Sequence, residues 1–367
     1  MSDLGILDLD RIAHVSFAAN VRTAFLRSAD DAMKRPPLSV THKSALPPGG
    51  TIHDYYSFGP YWWPDPTKPD GLPYIKRDGE VNPSVHSEAT DRMRLEHLGQ
   101  STLTLALASL VDRNPAYLDR AVTLLRTWFI DPATRMNPNF EFAQAIPGKC
   151  TGRGIGIIDG FSFIPVTEAA RMARRSGAIS DAEHAALRTW FEQFLDWLLT
   201  HPYGLAERAE HNNHGTWYDA QLATYALFTG RHDLARSVVE QSIQLRIEKH
   251  IQPDGRQPHE LARTRSFTYS CFNLDGLFTL AWVGRRVGVE VWSHPFLRPA
   301  MEFLAQYAEA DRPWPYPELE PEAHLPPPKF RLFRLLRQAA VAWDDSRYDK
   351  LSNQCETIGH IARVCWP

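Results

Sequence analysis

Apolar residues recur at helical spacing along most of this 367-residue chain, and that recurrence is the strongest constraint on its fold. Ile12, Val15, Ala18, Val21 and Phe25 share a face within 8–33, behind Asp8 and Asp10 as caps. Met93, Leu95, Leu98, Leu103, Leu105 and Leu107 repeat the pattern over 88–110. Pro115 suits a first helical turn and precedes Leu118, Val122, Leu125 and Trp128. Ser180 and Glu183 form a capping box ahead of Leu187, Trp190, Phe191, Phe194 and Leu198. A helix over 214–229 stops at Gly230. Further helices are predicted over 232–249, 271–288, 295–309, 329–342 and 346–363. Clear runs of strand-type alternation are absent. About eleven helices without a sheet must bury their apolar faces against one another, so the chain reads as all-α, made of stacked αα-hairpins in a solenoid or a closed toroid. No fixed sequence period is visible, which disfavours regular repeats.

Two long stretches break the helical pattern. Residues 36–83 and 133–160 are rich in Pro and Gly, and the first also carries Tyr55, Tyr56, Phe58, Tyr61, Trp62, Trp63 and Tyr74. So many aromatic rings are too apolar to leave in water. Both stretches are therefore expected to be ordered loops over one end of the helical scaffold, with residues 312–328 as a third. Aromatic residues number 11 Trp, 12 Tyr and 18 Phe. Most should fill the core, and the remainder can stack on flat apolar faces such as sugar rings.

Bulk chemistry excludes several classes. A formal net charge of −3 argues against a basic nucleic-acid binder. No apolar run is long enough to span a bilayer, which argues against a membrane partner. Cys150, Cys271, Cys355 and Cys365 form no CxxC pair, so structural zinc is disfavoured; one disulfide or reduced buried thiols remain open. The N-terminus has no basic region followed by an apolar one, as a signal peptide would, so either the protein is cytoplasmic or the chain starts after a removed signal. A catalytic zinc lacks a third ligand beside His211 and His214, and no GxSxG element marks a serine hydrolase.

Three clusters carry candidate chemistry. In His211-Asn212-Asn213-His214, Asn213 offers an amide donor and neutral His214 a proton acceptor at the start of a helix; a cap and a core histidine would give the same letters. In ELARTRSFTYSCFN, Arg263 and Arg265 lie close to Tyr269, and a guanidinium beside a tyrosine stabilises its phenolate. A surface salt bridge of Glu260 with either arginine, plus a core tyrosine, is the bland alternative. The third cluster brings Gln144, Lys149 and Arg153 into one glycine-rich loop that suits an anion. It is neither a Walker motif nor a dinucleotide fingerprint, because no strand precedes it. Glu141, Asp159, Glu207, Glu210 and Asp219 leave a pair of glycosidase carboxylates open.

The segments YYSFGPYWWPDPTKPDGLPYIKRDGEVNP, QAIPGKCTGRGIGIID, NNHGTWYDAQLATYALFTG and QPDGRQPHELARTRSFTYSCFNLDGL resemble the alginate lyase superfamily of polysaccharide lyases, from about Tyr55 to Leu280. The resemblance implies a single catalytic domain over 1–367. Its fold would be an (α/α) toroid, an incomplete barrel of six to seven helical hairpins with long loops over the cleft. It implies a monomeric, cofactor-free and metal-free enzyme, periplasmic or secreted, that cuts an anionic uronic-acid polysaccharide by β-elimination. Both alginate and glucuronan are open as the polymer. The matching active-site positions are Asn213, His214, Arg263 and Tyr269. The spacing from arginine to tyrosine is one residue shorter than in the best-known subgroup, so Arg263 and Arg265 compete for the substrate-facing role.

In the implied mechanism, Asn213, Arg263 and Gln144 neutralise the uronate carboxylate, which makes its C5 proton removable. Tyr269 protonates the leaving C4 oxygen. On mannuronate or glucuronate it also takes the C5 proton, whereas on guluronate His214 is the base. Trp62 and Trp63 would stack on sugar rings. Tyr55, Tyr56, Lys68, Lys76, Arg77, Lys149, Arg153 and Arg265 would bind the flanking chain. The alternatives are an α-toroid glycoside hydrolase acting through two carboxylates and a polyuronate-binding protein without turnover.

Overall fold

Each predicted helical segment contains a helix, and the local signals explain where several begin and end. Ser180 and Glu183 form the expected capping box: the Glu183 amide donates to Ser180 Oγ at 3.2 Å and the Ser180 amide to Glu183 Oε2 at 2.8 Å. Pro115 is the first residue of Pro115–Leu125, and Gly230 takes a left-handed conformation after Asn213–Thr229. The computed structural model describes residues 4–308, 312–319, 329–355 and 360–367. Part of the predicted third loop, 320–328, therefore lies outside the described residues. No helix among the described residues is long and apolar enough to cross a membrane.

The described chain divides into two compact units, one of residues 29–209 and one of 4–28 with 210–367. In the first unit, Arg92–Asp112 packs against Pro115–Leu125 and Ile164–Ser176. Its core is aromatic. Phe163 meets Phe129, Phe140, Trp190 and Phe194 with ring centroids 5.4–5.9 Å apart, mostly edge to face. In the second unit, Asn213–Thr229 packs against His232–Ser242 and Ser266–Val287, and the latter packs on Lys329–Trp343. Trp217 rests on Phe272 at 4.9 Å, and Phe278, Trp282, Trp292 and Trp343 form a second aromatic cluster. All four cysteines are free, and three of them are buried.

Three differences from the sequence reading have local causes. The first long loop is ordered but not strand-free: Tyr56–Phe58 pairs in parallel with Phe142–Ala145, and Trp62–Trp63 pairs antiparallel with Ile75–Lys76. Strands of two to four residues are too short for alternation to show. Ile164–Ser176 was not among the expected helices. It continues without a break from a tight 3-10 run, Gly154–Phe163, whose apolar residues have no helical period. Gly156 lets that run lie against the neighbouring strand, since a Cβ there would stand 2.5 Å from the Ala143 carbonyl oxygen. Finally, the helix expected over 271–288 begins at Ser266, which puts Tyr269 inside its first turns.

Candidate active site

In the second unit the NNH segment divides its labour. Asn212 is the cap, its side-chain oxygen accepting from the His214 amide at 2.9 Å. Asn213, the first helical residue, is fully buried. Its main-chain N–H donates to Glu260 Oε1 at 2.6 Å and its Nδ2 to Glu260 Oε2 at 2.7 Å. Glu260 stands in the one-turn helix Pro258–Leu261 and is itself buried. Burial pushes its carboxyl up to about 7, against the opposing pull of the two Asn213 bonds, Arg263 and His214. The surface salt bridge considered for Glu260 is thus replaced by a buried clamp on Asn213. His214 is half-buried beside it.

Arg263 follows three residues later. Its guanidinium carbon lies 4.1 Å from the centre of the Tyr269 ring, and its Nη2 donates to the Tyr269 hydroxyl at 3.2 Å. Arg265 sits at the start of Ser266–Val287, buried, with its backbone bridged to Glu318. The structure therefore gives Arg263, rather than Arg265, the contact with Tyr269. The start of the tyrosine-bearing helix is held from the distant segment 312–319. Glu318 accepts from the Phe267 amide at 2.6 Å and from Thr268 Oγ1 at 2.7 Å, Pro317 O accepts from the Ser266 amide at 3.0 Å, and Trp314 Nε1 donates to Ser266 Oγ at 2.7 Å. A carboxylate at a helix N-terminus meets its unpaired N–H groups and the positive end of its dipole.

Behind the NNH segment, Arg246 is buried and donates to Asp219 Oδ2 at 2.7 Å and to Glu210 O at 2.8 Å. Gly215 leaves room for this arrangement, because a Cβ there would stand 2.2 Å from Glu210 O and 2.4 Å from Arg246 Nη1. His250, buried with Nδ1 3.3 Å from Thr216 Oγ1, is driven down to about 3 by burial and by the charge of Arg246. It is neutral at ordinary pH.

The first unit holds the remaining candidates. Gln144 is buried and has a positive φ of 49°, a strained conformation for a side chain of this size. Its main-chain N–H donates to Ser57 Oγ at 2.8 Å and its Nε2 to Asp159 Oδ1 at 2.9 Å, while Arg153 donates to both its O and its Oε1 at 3.0 Å. Lys149 Nζ lies 4.4 Å and the Arg153 guanidinium 5.9 Å from the centre of the Trp62 ring, while Arg77 lies 5.0 Å from that of Trp63. Trp62 and Trp63 are half-buried and Lys149 is exposed. Lys68 and Lys76 are exposed on the same loop.

Tyr55 and Tyr56, expected to meet the flanking sugar chain, are buried. Tyr55 is 0% and Tyr56 8% exposed; Tyr55 spends its hydroxyl on Asp159 Oδ2 at 3.0 Å and packs on Phe140 at 4.5 Å. Burial raises the Tyr55 hydroxyl well above its usual range. Both rings are packed into the core of the first unit. Three of the five carboxylates suited to a glycosidase are engaged: Asp159 with Tyr55, Ser57 and Gln144, Asp219 with Arg246, and Glu141 with His201 at 3.0 Å. Sequence reasoning missed Glu260 and Glu318 as organisers of the site. The E of ELAR was the available signal for the first, and nothing near Tyr269 in the chain signals the second. No group of three or more His, Cys, Asp or Glu among the described residues is placed to hold a metal ion.

A sequence profile described as "Alginate lyase" matches residues 39–314. The chain belongs to the alginate lyase family. It is accordingly a polysaccharide lyase. Among solved structures, an alginate lyase from Bacteroides ovatus is 33% identical with a TM-score of 0.90, and each chain is covered over 100% of its length. Alginate lyase A1-III from Sphingomonas species A1 is 13% identical with a TM-score of 0.61, over 100% of this chain and 96% of that one, which is a likeness of fold. A variant of A1-III complexed with a tetrasaccharide is also 13% identical, with a TM-score of 0.62 over 100% of this chain and 95% of that one. A comparison with curated proteins gives no match. The fold class is the all-α (α/α) toroid of the alginate lyases.

Proposed function

We propose that the protein cleaves a 1,4-linked polyuronate, alginate first among the candidates and glucuronan second, by β-elimination. The observation that carries this reading is the pairing of Arg263 with Tyr269: a guanidinium nitrogen 3.2 Å from a phenolic oxygen, in a half-buried site. A cation at that distance stabilises phenolate, the form of Tyr269 that takes a C5 proton, without preventing the return of that proton to the leaving C4 oxygen. Tyr269 serves as both base and acid on mannuronate or glucuronate, where the two groups leave from one face of the ring. On guluronate they leave from opposite faces, and His214 is the base. Asn213 supplies a neutral N–H donor to the uronate carboxylate, so that charge developing on it is stabilised by a fixed dipole. In the first unit, taken by itself, Lys149 and Arg153 beside the Trp62 ring offer the cations and the aromatic face that carboxylates and sugar rings bind.

The test is incubation with polymannuronate, polyguluronate and glucuronan, followed by ultraviolet absorbance. A lyase leaves a C4–C5 double bond conjugated with the carboxylate, which absorbs. A hydrolase gives reducing ends without absorbance, and a binding protein gives neither; either result would refute the proposal. The polymer with the highest kcat/KM identifies the substrate.

A further inference from the structure

Glu260 touches Asn213 twice and is separated from it by 47 residues of chain. The two bonds come from different parts of the same residue, the main-chain N–H and the side-chain Nδ2. Together they fix both the place of the Asn213 backbone and the rotation of its amide. The second Nδ2 hydrogen is then left for another acceptor. Asn213 Oδ1 is buried with no hydrogen-bond partner among the described residues. An asparagine free to turn would seek a partner for that oxygen, because a buried polar atom without one is costly. With Oδ1 unpartnered, the bond from Nδ2 to Glu260 is what sets the orientation of the amide.

We propose that Glu260 is a positioning residue of the lyase reaction: its carboxylate locks the Asn213 amide with its N–H side available to the uronate carboxylate. This rests on the β-elimination reading of the site. Glu260 does not touch substrate; it acts through Asn213. Only the ionised carboxylate can do so, because it offers an acceptor oxygen to each of the two Asn213 donors. A protonated Glu260 keeps one acceptor and gains an O–H donor. That donor matches Asn213 Oδ1, so protonation favours the amide turned by half a revolution. The charged and titratable groups bearing on Glu260 are Arg263 from its own segment and His214 from the Asn213–Thr229 helix, and both favour its ionised form.

Glu260→Gln is the matching perturbation. Glutamine keeps the size and one acceptor oxygen for the Asn213 main-chain N–H, but presents an NH2 group to the Asn213 side chain. Steady-state kinetics on the best polyuronate are measured for wild type, Glu260→Gln, Asn213→Ala and the double variant. Glu260→Gln should lower kcat about 10²-fold, the scale of a displaced positioning group, with KM changed less than about threefold. In the Asn213→Ala background the same change should have no further effect on kcat, because Glu260 acts only through that amide. A wild-type kcat in Glu260→Gln, or losses that multiply in the double variant, would overturn the proposal. The wild-type pH profile is a second measurement that needs no variant to fold. Its kcat should fall with decreasing pH below about 7, where Glu260 takes up a proton, and a flat profile from about pH 5.5 to 8 would overturn it as well. A wild-type enzyme that forms no unsaturated product on any polyuronate would instead overturn the β-elimination reading, and this inference with it.

Discussion

Replacing Tyr269 with phenylalanine separates chemistry from folding at a single atom. The ring stays, and with it the Arg263 guanidinium 4.1 Å from its centre, a contact that contributes about 0.5–1 kcal/mol in a partly exposed setting. What disappears is the hydroxyl and the 3.2 Å bond it accepts from Arg263 Nη2. Losing that bond costs about 1.5–3 kcal/mol if the guanidinium finds no other partner and less if water replaces it, since both groups are half-buried. The fold should therefore survive with a modest loss in thermal midpoint. Turnover should fall about 10²–10⁴-fold on every substrate, the usual contribution of one acid–base group, and further if Tyr269 serves as both base and acid. In barrier height that is roughly 3–5 kcal/mol, larger than the stability change. The assay is initial-rate ultraviolet absorbance on polymannuronate and polyguluronate, alongside thermal unfolding of the same samples. A variant that unfolds like wild type and turns over at near its rate on both polymers would remove Tyr269 from the mechanism.

Four other outcomes are expected. His214→Ala should lose more activity on polyguluronate than on polymannuronate, because one tyrosine cannot reach both faces of a ring in one pose; equal losses would make His214 an orienting group. Gly215→Ala puts a Cβ 2.2 Å from Glu210 O and 2.4 Å from Arg246 Nη1 and should destabilise the fold by about 1–3 kcal/mol in urea unfolding, whereas an unchanged midpoint would mean that the Glu210 backbone and the Arg246 side chain both yield freely. For His250, whose folded value is drawn down to about 3, the unfolded chain binds the extra proton between about pH 6.5 and 3, so stability falls as pH falls through that window, by at most about 1.4 kcal/mol per unit. His250→Gln should flatten this part of the stability profile, and an unaltered slope would assign it to other groups. Lys149→Ala should weaken polymer binding and reduce its salt dependence, since ionic contacts are screened over roughly 8–10 Å at physiological ionic strength; an unchanged salt slope would place Lys149 outside the polymer path.

What the sequence determined by itself is what neighbours along the chain can decide. Helices follow from apolar spacing and from caps such as Ser180 with Glu183, because a helix satisfies its backbone within a few residues. The grouping of Asn213 with His214 and of Arg263 with Tyr269 was legible for the same reason: each pair spans no more than two helical turns. Tertiary structure decided which of the chemically equivalent residues take part. Tyr55 and Trp62 lie in one aromatic loop with no local feature to separate them, yet Tyr55 is closed in the core on Asp159 while Trp62 carries Lys149 and Arg153. Arg263 and Arg265 differ by two positions, and only the turn into Ser266–Val287 sends the first to Tyr269 and buries the second. Glu260 reaches Asn213 across 47 residues and Glu318 reaches Phe267 across 51. A carboxylate becomes a clamp or a cap only when packing has stripped it of water and left unpaired N–H groups within bonding distance, and no stretch of chain shorter than the folded unit contains that information.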